Sequence, residues 1–331
     1  MQVAERIELI RELCAHEGRR SGTDAERRAA NVATERLRVP GRRVAVEPIH
    51  VHPQLGLIYG LYCVAAICAS LVALVLPVAG FAAMLVVATL LYLDANGRLY
   101  TLRQLLFRRA SQNVISRPAA PGGNATLVLS AHVDVGRSGA LYWAKSIRGL
   151  VSLGRRLRIP VAPLRILFAV VVLGLIPLGI RSAGVEATWL DALQLAQVLV
   201  LLLALFLLID LELSKVGPGA NDNASGVATA VSLVQEVDGE RFSDLDVWVV
   251  LTGGEEPAQE GMRAFMRSHR RELTRSRTYF LNLDAVGRGR LRYETRAGWI
   301  AGYAMGDRLA QLCEAHADAE LDEAEDMGGL T

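Results

Sequence analysis

From Pro53 to Leu93 the chain runs for 41 residues without a formal charge. As a helix such a run would extend about 60 Å at ~1.5 Å per residue, enough to cross a ~30 Å hydrocarbon layer twice. Pro77 stands near its middle, so the pattern predicts a helical hairpin with arms over 55–76 and 78–93 and the proline in or near the turn. A second apolar block follows over 166–180, bounded by Arg165 and Arg181, and over 193–209. Its two arms are separated by a turn that holds Glu186, Trp189 and Asp191, with the indole placed like an interfacial anchor. The competing reading is a set of buried helices in a large soluble core. Two paired blocks, in a chain that is 52% apolar with a mean hydropathy of +0.28, favour lipid.

Between the blocks, residues 96–160 carry eleven Lys or Arg against one acid, Asp134. The positive-inside rule puts that segment in the cytoplasm, where its basic face could also touch anionic lipid. Each hairpin crosses an even number of times, so the hydrophilic pieces return to one side and can fold together. The layout expected is 1–52 for the N-terminal helices and first strand of a catalytic domain, with 53–95 as the first transmembrane hairpin. Residues 96–160 then continue the domain with basic juxtamembrane segments, 161–212 form the second hairpin, and 213–331 complete the domain. The N-terminus reads as a charged amphipathic helix without the apolar core of a secretory signal. Cys14, Cys63, Cys68 and Cys313 form no CxxC pair, which suggests neither a zinc knuckle nor a disulfide framework and fits a reducing compartment. A formal charge of +2 gives no footprint for nucleic acid. A lipid bilayer is the partner implied, with the protein integral to the cytoplasmic membrane.

Outside the hairpins, helix-like and strand-like stretches alternate. Helices are expected near 4–15, 24–37, 225–237 and 259–273, and strands near 44–48, 126–131, 246–251 and 279–283. That order predicts an α/β fold, a mixed and mostly parallel sheet flanked by helices and interrupted by the two membrane hairpins. Asn221, Asp222 and Asn223 are good capping residues for the helix that follows them. At the ends of the strands stand His132 and Asp134, then Glu255 and Glu256, then Asp284, with Asp222 opening a helix. Ligands of open α/β sheets bind outside the carboxyl ends of the strands. Five carboxylates and an imidazole gathered there would repel one another without a cation, and a divalent metal answers that cost. Each motif alone reads more simply as a surface pair, a cap or a solvated turn; it is their order along the chain that points to chemistry.

Those motifs resemble a family. Ser-Ala-His132-Val-Asp134, Gly219-Ala-Asn-Asp222-Asn-Ala-Ser-Gly226, Thr252-Gly-Gly-Glu255-Glu256 with Gly261 beyond, and Asn282-Leu-Asp284-Ala-Val-Gly287 look like the ordered motifs of the co-catalytic di-zinc aminopeptidases, peptidase family M28 of clan MH. Asn113-Val-Ile is similar to the strand preceding the histidine. The resemblance spans about 110–136 and 213–290, with both hairpins as insertions. It implies that His132 binds the first zinc, oriented by Asp134, that Asp222 bridges two zincs, that Asp284 completes the first site and that Glu256 binds the second. Glu255 would be the general base toward a zinc-activated water. The activity implied is removal of N-terminal residues from peptide substrates.

The family carries one more histidine ligand for the second zinc, beyond the position of Asp284. Here the only later histidine is His316, which shares a helical face with Leu309, Leu312 and Cys313 and reads as a packing residue. The second zinc would then have only Asp222 and Glu256, and the expectation is a C-terminally truncated fragment with weak or single metal occupancy. A non-catalytic membrane-anchored scaffold or interaction protein of the same fold is the alternative function. A carboxypeptidase or other amidohydrolase using the same centre is a third.

Overall fold

The strands set out above pair into one sheet because their apolar residues alternate. The computed structural model describes residues 1–157, 161–240, 244–256, 258–294, 296–315 and 321–323. His316 and residues 328–331, on which the expectations of a packed histidine and a truncated terminus rest, lie outside the described residues. The strands of the main sheet are β1 (Arg42–Val51), β2 (Arg109–Pro118), β3 (Ala125–His132), β4 (Leu245–Thr252) and β5 (Thr278–Asn282), in the spatial order β1-β2-β4-β3-β5. β1 runs antiparallel to β2 and β2 antiparallel to β4, whereas β3 is parallel to both β4 and β5. The sheet is therefore mixed, and its parallel pairings are those that carry the predicted site. Two short pairings, β6 (Leu291–Tyr293) with β9 (Leu321–Glu323) and β7 (Arg296–Ala297) with β8 (Tyr303–Ala304), lie outside it.

The helices are α1 (Val3–Cys14), α2 (Asp24–Leu37), α3 (Leu55–Val72), α4 (Pro77–Ala95), α5 (Ala144–Leu157), α6 (Pro163–Ser182), α7 (Thr188–Leu213), α8 (Gly226–Glu240), α9 (Glu260–His269) and α10 (Asp307–Ala315). Val247, Val249 and Leu251 of β4 face one side with Leu129 and Ala131 of β3, under Leu9 and Leu13 of α1, Ala29 and Ala33 of α2 and Val231 of α8. Trp248 and Val250 face the other side and meet Val128, Phe265 of α9 and Leu273. This two-residue alternation buries both faces of the sheet, as expected for strands with helices on either side. The predicted helix 259–273 is shorter than its apolar pattern. The amides of Glu272 and Leu273 bond back to the carbonyl of His269 and close a turn there.

The two apolar blocks form α3, α4, α6 and α7, four helices long and apolar enough to cross a membrane. They pack as a bundle, α3 against α4 and α7, and α6 against α4 and α7. Ile58, Tyr62, Ala66 and Ala69 of α3 and Ala73 just after it line its interior with Met84, Leu91, Val171, Leu178, Leu201 and Leu208. Gly56 allows a close approach of backbones, since a Cβ there would lie 2.3 Å from the carbonyl oxygen of Leu208 on α7. Gln194 donates from Nε2 to the carbonyl of Ser70 at 2.7 Å, a polar tie of the kind that holds apolar helices together. Val75, Leu173, Leu203 and Phe206 are exposed on the outside of the bundle. The helices run past the uncharged stretches and include Asp94, Asp210 and Glu212 at their ends. Asp94 pairs with Arg103, Asp210 accepts the amide of Ala140, and Glu212 accepts from Arg137 and from the amide of Gly56 at the start of α3.

Candidate metal centre

The parallel register decides what meets at the edge of the sheet. His132 is paired with Thr252 and Ser130 with Asn282, so β3, β4 and β5 end together. Glu255 and Glu256 follow three and four residues after Thr252, and Asp284 two residues after Asn282. Asp222 arrives from the segment that opens α8. There Asn223, rather than Asp222, caps the helix by accepting the amide of Gly226 at 3.0 Å, which leaves the Asp222 carboxylate to face the site.

His132, Asp222 and Asp284 each offer a ligand atom within 4.8 Å of the others. The ring Nδ1 of His132 meets the backbone carbonyl of Asp134 at 3.0 Å, with the Asp134 carboxylate at 3.6 Å. That bond leaves Nε2 as the free lone pair, and Nε2 points at Asp222 Oδ1 at 3.1 Å and Asp284 Oδ1 at 3.6 Å. Three electron-rich atoms aimed at one point need a positive charge among them. Asp284 Oδ1 is buried with no hydrogen-bond partner, an orphan that a cation would satisfy. These donors, one imidazole and two carboxylates, suit zinc with a coordination position left open. The burial of His132 opposes its charge, but its bonds to Asp134, Asp222 and Asp284 prevail and push its pKa well above the ordinary value. A bound cation would meet the same demand.

Asp134 is fully buried and occupied on every side. Its carboxylate accepts from Ser21 Oγ at 2.5 Å and from the amides of Glu255 at 3.1 Å and Glu256 at 3.2 Å. Burial alone would raise its pKa, yet the bonds from His132, Ser21 and the Glu255 amide hold it below the ordinary carboxylate value. The turn carrying Glu255 and Glu256 is fixed from a second direction. Asn113 Oδ1 accepts the amide of Gly253 at 3.2 Å, and Glu26 accepts that of Gly254 at 3.0 Å. Gly254 has φ of +65°, and a Cβ there would lie 2.4 Å from Val51, so no other residue fits this turn without displacement.

Glu255 and Glu256 stand beside the three-residue cluster and not within it. Burial, opposed by the charge of His132, pushes Glu255 up to about 7 and Glu256 up to about 8. The Glu255 carboxylate accepts from Thr252 Oγ1 at 3.3 Å. Glu256 lies against Gly136 and, with Asp222, borders a cleft of about 310 Å³ whose other walls include Tyr142, Ile147, Leu55 and Leu211. Sequence reasoning missed the N-terminal residues that hold the centre in place. Arg19 is buried and donates to the carbonyls of Leu13, Val133, Pro218 and Gly219, tying the loop after β3 to the one before Asp222. Ser21 and Glu26 do the same for Asp134 and Gly254. No local signal marks these residues, because their partners lie far along the chain.

Residues 209–329 match the model of Peptidase family M28, and the resemblance carried by the motifs is borne out for that part of the chain. No curated protein sequence matches. Among solved structures, an aminopeptidase from Aneurinibacillus sp. strain AM-1 is similar at 11% identity and a TM-score of 0.50, over 98% of this chain and 80% of that one. A leucine aminopeptidase precursor from Bacteroides thetaiotaomicron has 11% identity and a TM-score of 0.49, over 99% of this chain and 80% of that one. A glutaminyl cyclase from Fimbriiglobus ruber has 14% identity and a TM-score of 0.42, and the chain covers 64% of its length with 88% of its own. At 11% identity the likeness to the Aneurinibacillus aminopeptidase speaks to the fold alone, a five-stranded mixed sheet flanked by helices.

Proposed function

We propose that the protein is a membrane-embedded zinc metallopeptidase that hydrolyses N-terminal peptide bonds. The observation that carries this reading is the convergence of His132, Asp222 and Asp284 around the orphaned Asp284 Oδ1. His132, Asp222 and Asp284 would hold one zinc, and Asp222 with Glu256 the second, which has no histidine among the described residues. When bound, zinc supplies a Lewis acid that polarises the scissile carbonyl and acidifies water. Asp134 positions His132 through its carbonyl and the Glu255 turn through its carboxylate. Glu255 takes a proton from the attacking water at its carboxylate and delivers it to the departing amine. The cleft beside Asp222 and Glu256 would seat the substrate's N-terminal residue.

The membrane part of the reading is supported by the length and apolarity of α3, α4, α6 and α7 and by the apolar outer surface of their bundle. Residues 53–95 and 161–212 would be the hairpins, with 1–52, 96–160 and 213–331 forming one catalytic domain. The basic bias of 96–160 would place that domain in the cytoplasm. The test is zinc analysis and hydrolysis of a panel of aminoacyl amides by detergent-solubilised protein, wild type against Glu255→Gln. The expected result is zinc retained in both and turnover lower by about 10²–10⁴-fold in the variant. Equal turnover would remove Glu255 from the mechanism, and zinc binding without hydrolysis of any amide would favour the scaffold.

A further inference from the structure

Helix α5 has two chemically opposite faces. At 100° per residue, Ile147, Leu150, Val151, Leu153 and Leu157 fall on one arc, and Lys145, Arg148 and Arg156 on the other. Ile147, Leu150 and Val151 are half-buried, with Ile147 bordering the cleft, while Leu153 is 43% exposed, Leu157 54% and the preceding Trp143 61%. These are large apolar side chains in water beside a row of cations, a poor arrangement for a soluble surface.

The position of α5 explains the pattern. Just before it, the amide of Ala140 is bonded to Asp210 at the end of α7 at 2.7 Å, and soon after it α6 begins at Pro163. Both ends of α5 are therefore tied to ends of the apolar bundle. A second apolar projection stands at the same level. Phe107 is 85% exposed, and its carbonyl accepts from Gln54, the residue that opens α3, at 3.1 Å. The start of α3 is joined to the end of α7 through Glu212. The exposed apolar belt of α7 continues to Leu213, 79% exposed, at this same end.

We infer that α5 is an interfacial helix that lies on an anionic bilayer surface, with Trp143, Leu153 and Leu157 among the acyl chains and Lys145, Arg148 and Arg156 on acidic headgroups. A basic arc opposite an apolar one is the pattern of helices that rest in the plane of the interface. The inference rests on the membrane reading of α3, α4, α6 and α7 and adds to it a lipid-binding surface beside the cleft. Because Ile147 and Tyr142 border that cleft, the bilayer surface would form its outer margin.

Two exposed tryptophans make the inference and its premise separately testable. Trp143 precedes α5, and Trp189, 50% exposed, lies in the first turn of α7 at the far end of the second hairpin. The protein is reconstituted in phosphatidylcholine vesicles, with or without phosphatidylglycerol, that contain lipid brominated at shallow acyl positions. Quenching of each indole is the difference between wild type and Trp143→Phe, or between wild type and Trp189→Phe. Both should be quenched, and Trp143 more strongly, with a blue-shifted emission, when phosphatidylglycerol is present. Arg148→Glu with Arg156→Glu should remove that increment and leave Trp189 unchanged. Quenching of Trp189 without Trp143 would overturn the inference and leave the membrane reading intact. Quenching of neither would overturn both. An increment that inorganic phosphate abolishes at constant ionic strength would assign the basic arc to a free anion and also overturn the inference.

Discussion

Arg103→Met tests how α4 is joined to the turn that carries Glu255. The guanidinium is fully buried and donates to Asp94 Oδ1 at 2.5 Å and Oδ2 at 3.1 Å, and to Glu260 Oε1 at 3.1 Å. Glu260 opens α9, directly after the Glu255 turn, and also accepts the backbone amide of His52 and meets its Nδ1 at 3.0 Å. Methionine matches much of the volume and removes the charge, so Asp94, itself 0% exposed, would be left as an uncompensated buried carboxylate. Breaking a buried pair in this way costs about 3–5 kcal/mol. At roughly 2 °C per kcal/mol for a chain of this size, the midpoint of thermal unfolding should fall by about 6–10 °C. The assay is intrinsic fluorescence in detergent at a fixed scan rate. Asp94→Asn combined with Arg103→Met should be less destabilised than Arg103→Met alone, because the stranded charge is then gone and Glu260 keeps His52. A single variant that melts within about 2 °C of wild type would refute the reasoning, since so small a shift corresponds to about 1 kcal/mol.

Asp134→Asn should lower zinc affinity by about 10–100-fold, read by competition with a chromogenic chelator, because it removes the carboxylate charge 3.6 Å from His132 Nδ1 that also accepts the amides of Glu255 and Glu256. Unchanged affinity would assign the orientation of His132 to the Asp134 carbonyl alone. Burial, reinforced by the nearby charge of Asp134, pushes Glu26 up to about 8. Folding therefore favours its protonated form, and this contribution to stability is complete below about pH 4.5 and lost as pH rises through about 8. Glu26→Gln should thus gain in melting temperature relative to wild type between pH 5 and pH 8.5, and a constant difference across that range would show that Glu26 does not titrate there.

Much of the fold is visible in the sequence where burial imposes a period. The strand expected over 126–131 forms as Ala125–His132, and that expected over 246–251 as Leu245–Thr252, because apolar residues buried on both faces leave little choice. The ends of the membrane-length helices were less visible. An uncharged window stops before Asp94, Asp210 and Glu212, but the helices continue through them, since each carboxylate has a partner in the soluble layer that hydropathy cannot register. The amphipathic period of α5 lay in the spacing of Ile147, Leu150, Val151, Leu153 and Leu157, hidden within a segment whose positive charge was its dominant feature. At the candidate site, His132 and Asp284 were legible at strand ends and Asp222 at the opening of a helix, and the structure brings the three together. Arg19, Ser21 and Glu26 were not, since the bond from Ser21 to Asp134 spans 113 residues and that from Gly254 to Glu26 spans 228.

The charged groups gathered at one end of the bundle differ in when their partners are made during translation. Asp94 is separated from Arg103 by nine residues, so on the membrane reading the first hairpin carries its neutralising group almost as soon as it leaves the ribosome. The amide of Gly56, in the other arm of that hairpin, waits for Glu212, 156 residues downstream. The first hairpin can thus insert early as an electrically complete unit, while α3 stays free to adjust its tilt until the second arrives. Assembly of the bundle and closure of the soluble layer above it then fall in the same late stage of synthesis.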